Sequence, residues 1–358
     1  MEGSTSLPIF VVGAQRSGTT LLQSMLGAHS NIAAPPEMHF LYRISNFSDY
    51  FGDLRDDTNL MRALHEALNP PVPLLRECGF EERTLFERAR RGDRSYSALL
   101  DVIMSDFAER NGKQRWSEKT PDQPASGILQ LFPEAQIIHI LRDPRDVVAS
   151  RLETPWDDQN ARELAAAWRW FTLDAIKAGR VGPAHYLQIR YEDLTSDPEA
   201  VIRLVCCFLQ EEYEPAMVSS PELRAGTIAS LAAPWQSRVF EPISAERQGR
   251  HRATMSRLQR ASVAAVVHRE LAALGYVPAR GVMTAVGTLA KAAGFPARSV
   301  RFLSRSRLRR RLRTPEGRYQ EARHFMEQLN NRVSASTNLP VESSTERRGI
   351  RPAASRDD

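Results

Sequence analysis

Residues Arg16-Ser-Gly-Thr-Thr20 put a cation, three hydroxyls and a glycine into five consecutive positions, a set suited to gripping an oxyanion. They lie inside PIFVVGAQRSGTTLLQSMLGAHSNIAAPPE, residues 8 to 37. The apolar run Ile9 to Val12 predicts a strand buried on both faces, and Leu21, Leu22, Met25 and Leu26 recur at helical spacing. Between them, Gly13 to Gly18 reads as a tight turn. A strand, a glycine-bounded loop and a helix aim backbone N–H groups and the positive end of a helix dipole at one spot. The G-x-x-x-x-G spacing is that of a nucleotide-binding P-loop, but the position of the kinase lysine holds Thr19, and the cation stands upstream at Arg16. The cradle without that lysine predicts an anionic nucleotide bound without the usual magnesium arrangement. A second grip lies far along the chain. Arg142 ends the predicted buried strand AQIIHIL (135 to 141), and Ser150, eight residues on, falls on the next helix. An arginine and a hydroxyl so placed can hold one phosphate together.

PIFVVGAQRSGTTLL resembles the 5′-phosphosulfate loop of the sulfotransferases that use 3′-phosphoadenosine 5′-phosphosulfate (PAPS). IIHILRDPRDVVAS, residues 137 to 150, resembles the 3′-phosphate motif of the same family. The likeness spans about residues 7 to 277, is nearest the bacterial and Golgi-type branches with a glutamate base, is patchy between 45 and 110, and stops near 280. It implies a sulfotransferase fold in which Arg16, Ser17, Gly18, Thr19 and Thr20 hold the phosphosulfate and Arg142 with Ser150 holds the 3′-phosphate. It also implies a catalytic base at Glu37, 21 residues after Arg16, and a second cation at Lys119, in Trp-Ser-Glu-Lys-Thr-Pro. A buried carboxylate of this kind has its pKa raised by desolvation, with Arg16 opposing. His39 and His29 are the rival bases. Tyr191, in Arg-Tyr-Glu-Asp-Leu, is expected near the adenosine. Ser244, Gly249 and Arg250 resemble the C-terminal segment that closes over the nucleotide, although Arg-Gln-Gly-Arg-His-Arg departs from the aromatic form common there. The residues around the second grip, Asp143, Arg145 and Asp146, read as helix caps and braces, His139 as a core histidine, and Trp168, Trp170 and Phe171 as helix packing.

The positioning elements follow from the rest of the pattern. Strands alternating with helices predict an α/β fold, a parallel sheet flanked by helices. Residues 48 to 114 carry helical patterns broken by Asn-Pro-Pro-Val-Pro and Arg-Arg-Gly-Asp, a helical insertion over the nucleotide site. One sulfotransferase domain over 1–278, a basic and partly helical extension over 279–333 and a disordered tail over 334–358 complete the expectation. With 42% hydrophobic and 25% charged residues, the composition is that of a soluble globular protein. The longest apolar runs are too short to span a bilayer, and no signal peptide is read at the N-terminus. Cys78, Cys206 and Cys207 lack metal-ligand spacing, so neither a metal site nor a disulfide framework is expected, and the simplest compartment is the cytoplasm. Eight arginines fall within 298–313 with no acid; subtracting them from the formal charge of +5 leaves −3 for the remainder. The basicity is therefore local. With Leu303, Leu308 and Leu312 on one side, that run reads either as a contact for an anionic membrane surface or as a solvated tail, and nucleic acid is disfavoured. The resulting expectation is sulfuryl transfer to a hydroxyl of a carbohydrate, a lipid or metabolite alcohol, or a tyrosine. An ATP-using P-loop kinase and a non-catalytic nucleotide-binding scaffold are the alternatives. The acceptor and the oligomeric state are set by features this pattern does not encode.

Overall fold

Ile9–Val12 forms strand β1, with all four residues buried. In the computed structural model, which describes residues 7–70, 75, 78–121, 123–154, 157, 159–221, 241–276 and 314–337, β1 is the middle of five strands. The others are β2 (Ile32–Ala33), β3 (Arg115–Lys119), β4 (Gln136–Leu141) and β5 (Tyr186–Arg190). Their order is β2-β3-β1-β4-β5, and every neighbouring pair is parallel. Parallel neighbours require crossover connections, which the helices supply on both faces. The two-residue period of β1 divides its side chains between two cores. Ile9 and Val11 pack with Leu22, Met25, Ile138 and Ile140, while Phe10 and Val12 join Trp116, Ile137 and the insertion helices.

The structure adds two strands for which the sequence carries no signal. β2 is only two residues long, and β3 reads RWSEK, polar at four of five positions, yet every residue of β3 is buried. Several of its polar atoms are met from distant segments, while Nε of Arg115 and Oε2 of Glu118 are buried without a hydrogen-bond partner. Arg115 donates to the Gln136 side chain at 2.5 Å, to the Leu209 carbonyl at 2.7 Å and to the Glu211 carboxylate at 2.8 Å. Ser117 donates to Gln23 at 3.2 Å. A strand of this composition belongs in a sheet interior only because those partners exist.

Within the predicted insertion, helices run over Asp57–Leu68, Glu82–Arg91 and Tyr96–Arg110. Asp56 and Ser95 cap two of them by accepting from first-turn amides. Leu60, Leu64, Leu85, Leu99 and Ile103 enter the same core as Phe10. A last helix, Pro315–Thr337, continues past residue 334, where the sequence predicts a tail. It lies against the start of the insertion: the Tyr319 ring stacks on Tyr50 with centroids 4.4 Å apart, and its hydroxyl donates to Glu66 at 2.6 Å. The sequence also offers Asp122 as the cap of a helix running to Leu131, and the helix found there spans Ala125–Leu131. Asp122, the arginine run 298–313 and the tail after 337 lie outside the described residues.

The loop after β1 depends on Gly18, which takes φ +100° before the helix Thr19–Gly27. A Cβ there would stand 2.5 Å from Cδ2 of Tyr191. Left-handed strain on a non-glycine residue costs about 1–3 kcal/mol, and each lost kcal/mol lowers the melting temperature of a domain this size by about 2–4 °C. Gly18→Ala is therefore expected to melt several degrees below wild type. Gly182→Ala, whose added Cβ meets nothing within 4 Å, should melt with wild type in the same calorimetric scan.

Candidate active site

The carboxyl ends of β1, β3, β4 and β5 are where an open parallel sheet binds ligands, and the chemistry-bearing residues gather there. β1 runs into Gly13–Thr20, and β4, its direct neighbour, runs into Arg142. Arg16, held at φ +70°, donates from Nε to the Ser150 hydroxyl at 3.1 Å. Arg142 donates from one Nη to the carbonyl of Arg16 at 2.8 Å and from the other to that of Arg247 at 3.0 Å. Its guanidinium lies 4.0 Å from the centroid of the Tyr191 ring, a cation–π contact that fixes the plane of the fork. Arg16, Gly18, Thr19, Thr20, Arg142, Ser150, Tyr191 and Ser244 all line one cleft of about 160 Å³, with Arg247 and Glu241 to Ile243 at its edge. Two grips 134 positions apart thus meet in one place.

Burial, and then the cations of Arg142, Arg247 and Arg250, lower the pKa of Arg16 to about 10. Crowding guanidinium groups in this way is unfavourable without an anion and favourable with one. The site fits a phosphorylated ligand in two further respects. Among the described residues, the Ser17 hydroxyl and Nε of Arg142 are buried with no hydrogen-bond partner. The absence of a side chain at Gly18 leaves backbone and Tyr191 in close approach. Ser17, a residue of the loop itself, is 1% exposed and is not among the residues lining the cleft.

Gly249 and Arg250 do not line the cleft. The Gly249 amide donates to Asp146 at 2.6 Å, and Arg250 pairs with Glu153 at 2.7 Å. Asp143 caps its helix by accepting from the Arg145 amide, as expected. Asp146 departs from the sequence reading. Its carboxylate, 1% exposed, holds the 244–252 segment, because the donors that reach it are Gly249 and His251. Burial would raise its pKa, but those donors lower it on balance. Nothing in Arg-Gln-Gly-Arg-His-Arg marks this role, which exists only once the segment folds back across the helix.

Glu37 and Lys119 form a second, smaller cleft with His39, Leu41, Tyr42, Thr120 and Gln123. Register places Lys119 beside Val11, so its side chain stands next to the start of the loop. Nζ of Lys119 donates to one Glu37 oxygen at 2.5 Å, and Nδ1 of His39 lies 3.1 Å from the other. His39 is thus a partner of Glu37, while His29 is buried against the Glu212 carbonyl at 2.9 Å and is structural. The sequence predicts a raised pKa for Glu37, with Arg16 opposing. Desolvation does push it upward, but the charges and hydrogen bonds of His39 and Lys119 outweigh it and bring the pKa down to about 2. The adjacent Glu118 goes the other way: burial, then the field of Glu37, holds its pKa well above the carboxylate range. Its Oε1 accepts from the Met38 amide at 3.3 Å. Among the described residues, no cluster of three or more His, Cys, Asp or Glu is placed to hold a metal ion, and no helix is long and apolar enough to cross a membrane.

A parallel sheet whose strand ends bring a glycine loop and an arginine–serine grip into one cationic cleft defines a nucleotide-dependent group-transfer fold. A family model for the sulfotransferase family matches residues 8–215, and the chain belongs to that family. Protein-tyrosine sulfotransferase A of Caenorhabditis elegans is 25% identical over 227 residues, covering 61% of this chain and 54% of that protein. Omega-hydroxy-beta-dihydromenaquinone-9 sulfotransferase Stf3 of Mycobacterium tuberculosis is 27% identical over 241 residues, 55% of this chain and 61% of that one. The chain spans from about a quarter to just over half of the length of the first relatives it matches. Two solved structures share the fold. The sulfotransferase domain from the curacin biosynthetic pathway has a TM-score of 0.57 at 20% identity, over 77% of this chain and 100% of that one. The sulfotransferase domain of the Synechococcus PCC 7002 olefin synthase has 0.55 at 22%, over 78% and 98%.

The opposed shifts at Glu37 and Glu118 make a measurable pair. A carboxyl whose folded pKa lies above its unfolded value destabilises the native state as pH rises from the unfolded pKa toward the folded one. Gln at 118 keeps an acceptor for Met38 without ionising. Glu118→Gln should therefore melt near wild type at pH 4 and above it at pH 8; equal melting temperatures at both pH values would show that Glu118 is not protonated in the fold.

Proposed function

We propose that this chain transfers the sulfuryl group of PAPS to an acceptor hydroxyl by in-line displacement, releasing adenosine 3′,5′-bisphosphate. The observation that carries the reading is the single cleft in which Arg16, Ser150 and Arg142 converge at bonding distance. In this reading, the amides and hydroxyls of residues 17 to 20 hold the 5′-phosphosulfate. Arg142 and Ser150 hold the 3′-phosphate, and Tyr191 supports the adenosine. The acceptor oxygen bonds to sulfur as the bond from sulfur to the 5′-phosphate oxygen breaks, and the leaving phosphate takes that electron pair. The acceptor proton passes to Glu37. Arg16 and Lys119 neutralise charge on the group in flight, since positioning and electrostatics dominate such transfers.

The Glu37–Lys119 pair gives this mechanism an internal control. While Lys119 holds the carboxylate, Glu37 is a poor base, its pKa near 2. A sulfuryl group that draws Lys119 toward its own oxygens removes part of that field and raises the proton affinity of Glu37. Base strength then develops when both substrates are in place. The acceptor is a hydroxyl of a carbohydrate, a lipid or metabolite alcohol, or a tyrosine, entering beside Leu41 and Tyr42 beneath the helical insertion. A reducing, cytoplasmic setting is proposed from the three cysteines, whose spacing suits neither a disulfide framework nor a metal site. The arginine run 298–313 is proposed to touch anionic lipid at the membrane surface.

Three measurements test these assignments. Adenosine 3′,5′-bisphosphate should displace a labelled nucleotide from the protein at concentrations where ATP does not, and Arg142→Ala should weaken that binding more than tenfold, in line with loss of a hydrogen bond to a charged group; preferential binding of ATP would instead favour a kinase. Glu37→Ala should lower the turnover of labelled PAPS with fractionated cell extract by roughly 10²–10⁴, the usual worth of a positioned base, while leaving bisphosphate affinity within a few-fold. Deleting residues 298–313 should abolish sedimentation with phosphatidylserine vesicles and leave neutral vesicles unaffected; equal sedimentation of both forms ends the lipid assignment.

A further inference from the structure

The carboxylate of Asp146 is spent on a segment more than a hundred residues away. It lies in the first turn of the helix Pro144–Arg151 and is 1% exposed. Oδ1 accepts from the backbone amide of His251 at 2.9 Å and from its Nδ1 at 2.7 Å, and Oδ2 accepts from the Gly249 amide at 2.6 Å. Gly249, at φ +73°, turns the chain so that both amides face one carboxylate, the geometry of a backbone anion nest. On the other side, the Gln248 amide nitrogen donates to the Glu192 carbonyl, the Thr195 hydroxyl and the Ser196 hydroxyl at 2.9, 2.9 and 3.0 Å. Residues 247 to 251 are therefore strapped down from two directions.

Immediately before these two anchors in the chain is the carbonyl of Arg247, which accepts from Arg142. Arg142 has one further backbone anchor, the carbonyl of Arg16 in the loop. The orientation of its fork is thus set jointly by the loop and by the strap. Its Nε is buried with no partner among the described residues, leaving a donor for a ligand oxygen. A strap that shifts moves the Arg247 carbonyl, and the fork follows.

We infer that Asp146 and Gln248 are positioning residues that hold the 247–251 strap in place and thereby pre-set Arg142 for the second phosphate of the nucleotide. The inference rests on the sulfotransferase reading above and adds to it the source of discrimination between nucleotides with and without a 3′-phosphate. Neither residue touches the nucleotide in this account. Both act through one carbonyl, so their effects must be selective and must overlap.

Calorimetric titration of the full chain with adenosine 3′,5′-bisphosphate and with adenosine 5′-monophosphate tests this. Wild type should prefer the bisphosphate. Asp146→Asn sets an amide N–H against the donors of Gly249 or His251, and Gln248→Ala removes the opposite anchor. Each is expected to weaken bisphosphate binding by about tenfold or more while changing monophosphate binding less than threefold, and the double variant should lose less than the product of the two, as residues sharing one partner do. If Asp146→Asn does not fold, Gln248→Ala carries the same readout alone. Variants that keep the wild-type preference, or that weaken both nucleotides equally, overturn the inference while the sulfotransferase reading stands. A wild-type chain that binds no bisphosphate overturns that reading and this inference with it.

Discussion

Arg142 is the group on which the rest of the site depends. Buried at the end of the central strand pair, it ties the loop after β1 to the strap of residues 247 to 251 through two carbonyls and stands 4.0 Å from the Tyr191 ring centroid. A buried guanidinium is tolerated only when its donors are satisfied and its charge has a use. Here two donors go to backbone, the flat face goes to an aromatic ring, and Nε remains for a ligand. The same constraint explains the close fit of Gly18 against Tyr191: the ring must approach the loop to support the arginine.

Around this cation the molecule arranges charge in two separate ways. The cleft at Arg16 and Arg142 concentrates positive charge, which together with burial lowers the pKa of Arg16. The Glu37 cleft instead balances a carboxylate against Lys119 and His39, with Glu118 behind it, its pKa raised by burial and by the field of Glu37. Lys119 links the two because β3 lies beside β1, so a single lysine can answer to both.

The segment after Glu37 is packed by elements from both ends of the chain. Short helices after Glu37 pack on Asp57–Leu68, and the last helix closes on both through Tyr319, Glu66 and Arg323. Arg43, buried beside Glu66, pairs with it and donates to its carbonyl. This polar cluster brings residues more than 250 positions apart into one wall, adjoining the segment that carries Leu41 and Tyr42.

Some of this was legible in the amino-acid order and some was not, for a physical reason. β1, β4, the glycine loop and the arginine–serine pair are local patterns: apolar runs, glycine spacing and helix caps act over a few residues and are written in the chain itself. The parallel sheet and the helical insertion follow from the same periodicities. By contrast, β3 is stabilised as a buried strand by Gln136, Leu209, Glu211 and Gln23, which meet Arg115 and Ser117, and no local signal announces them. The depressed pKa of Glu37 comes from a lysine 82 positions away. Asp146 reads as a helix brace until a histidine 105 positions on folds against it. Sequence alone determined which groups could grip phosphate, because that depends on residue type and short spacing. Tertiary structure decided which charges face one another, because electrostatic energy depends on distance in space and on burial, and neither is a property of the chain before it folds.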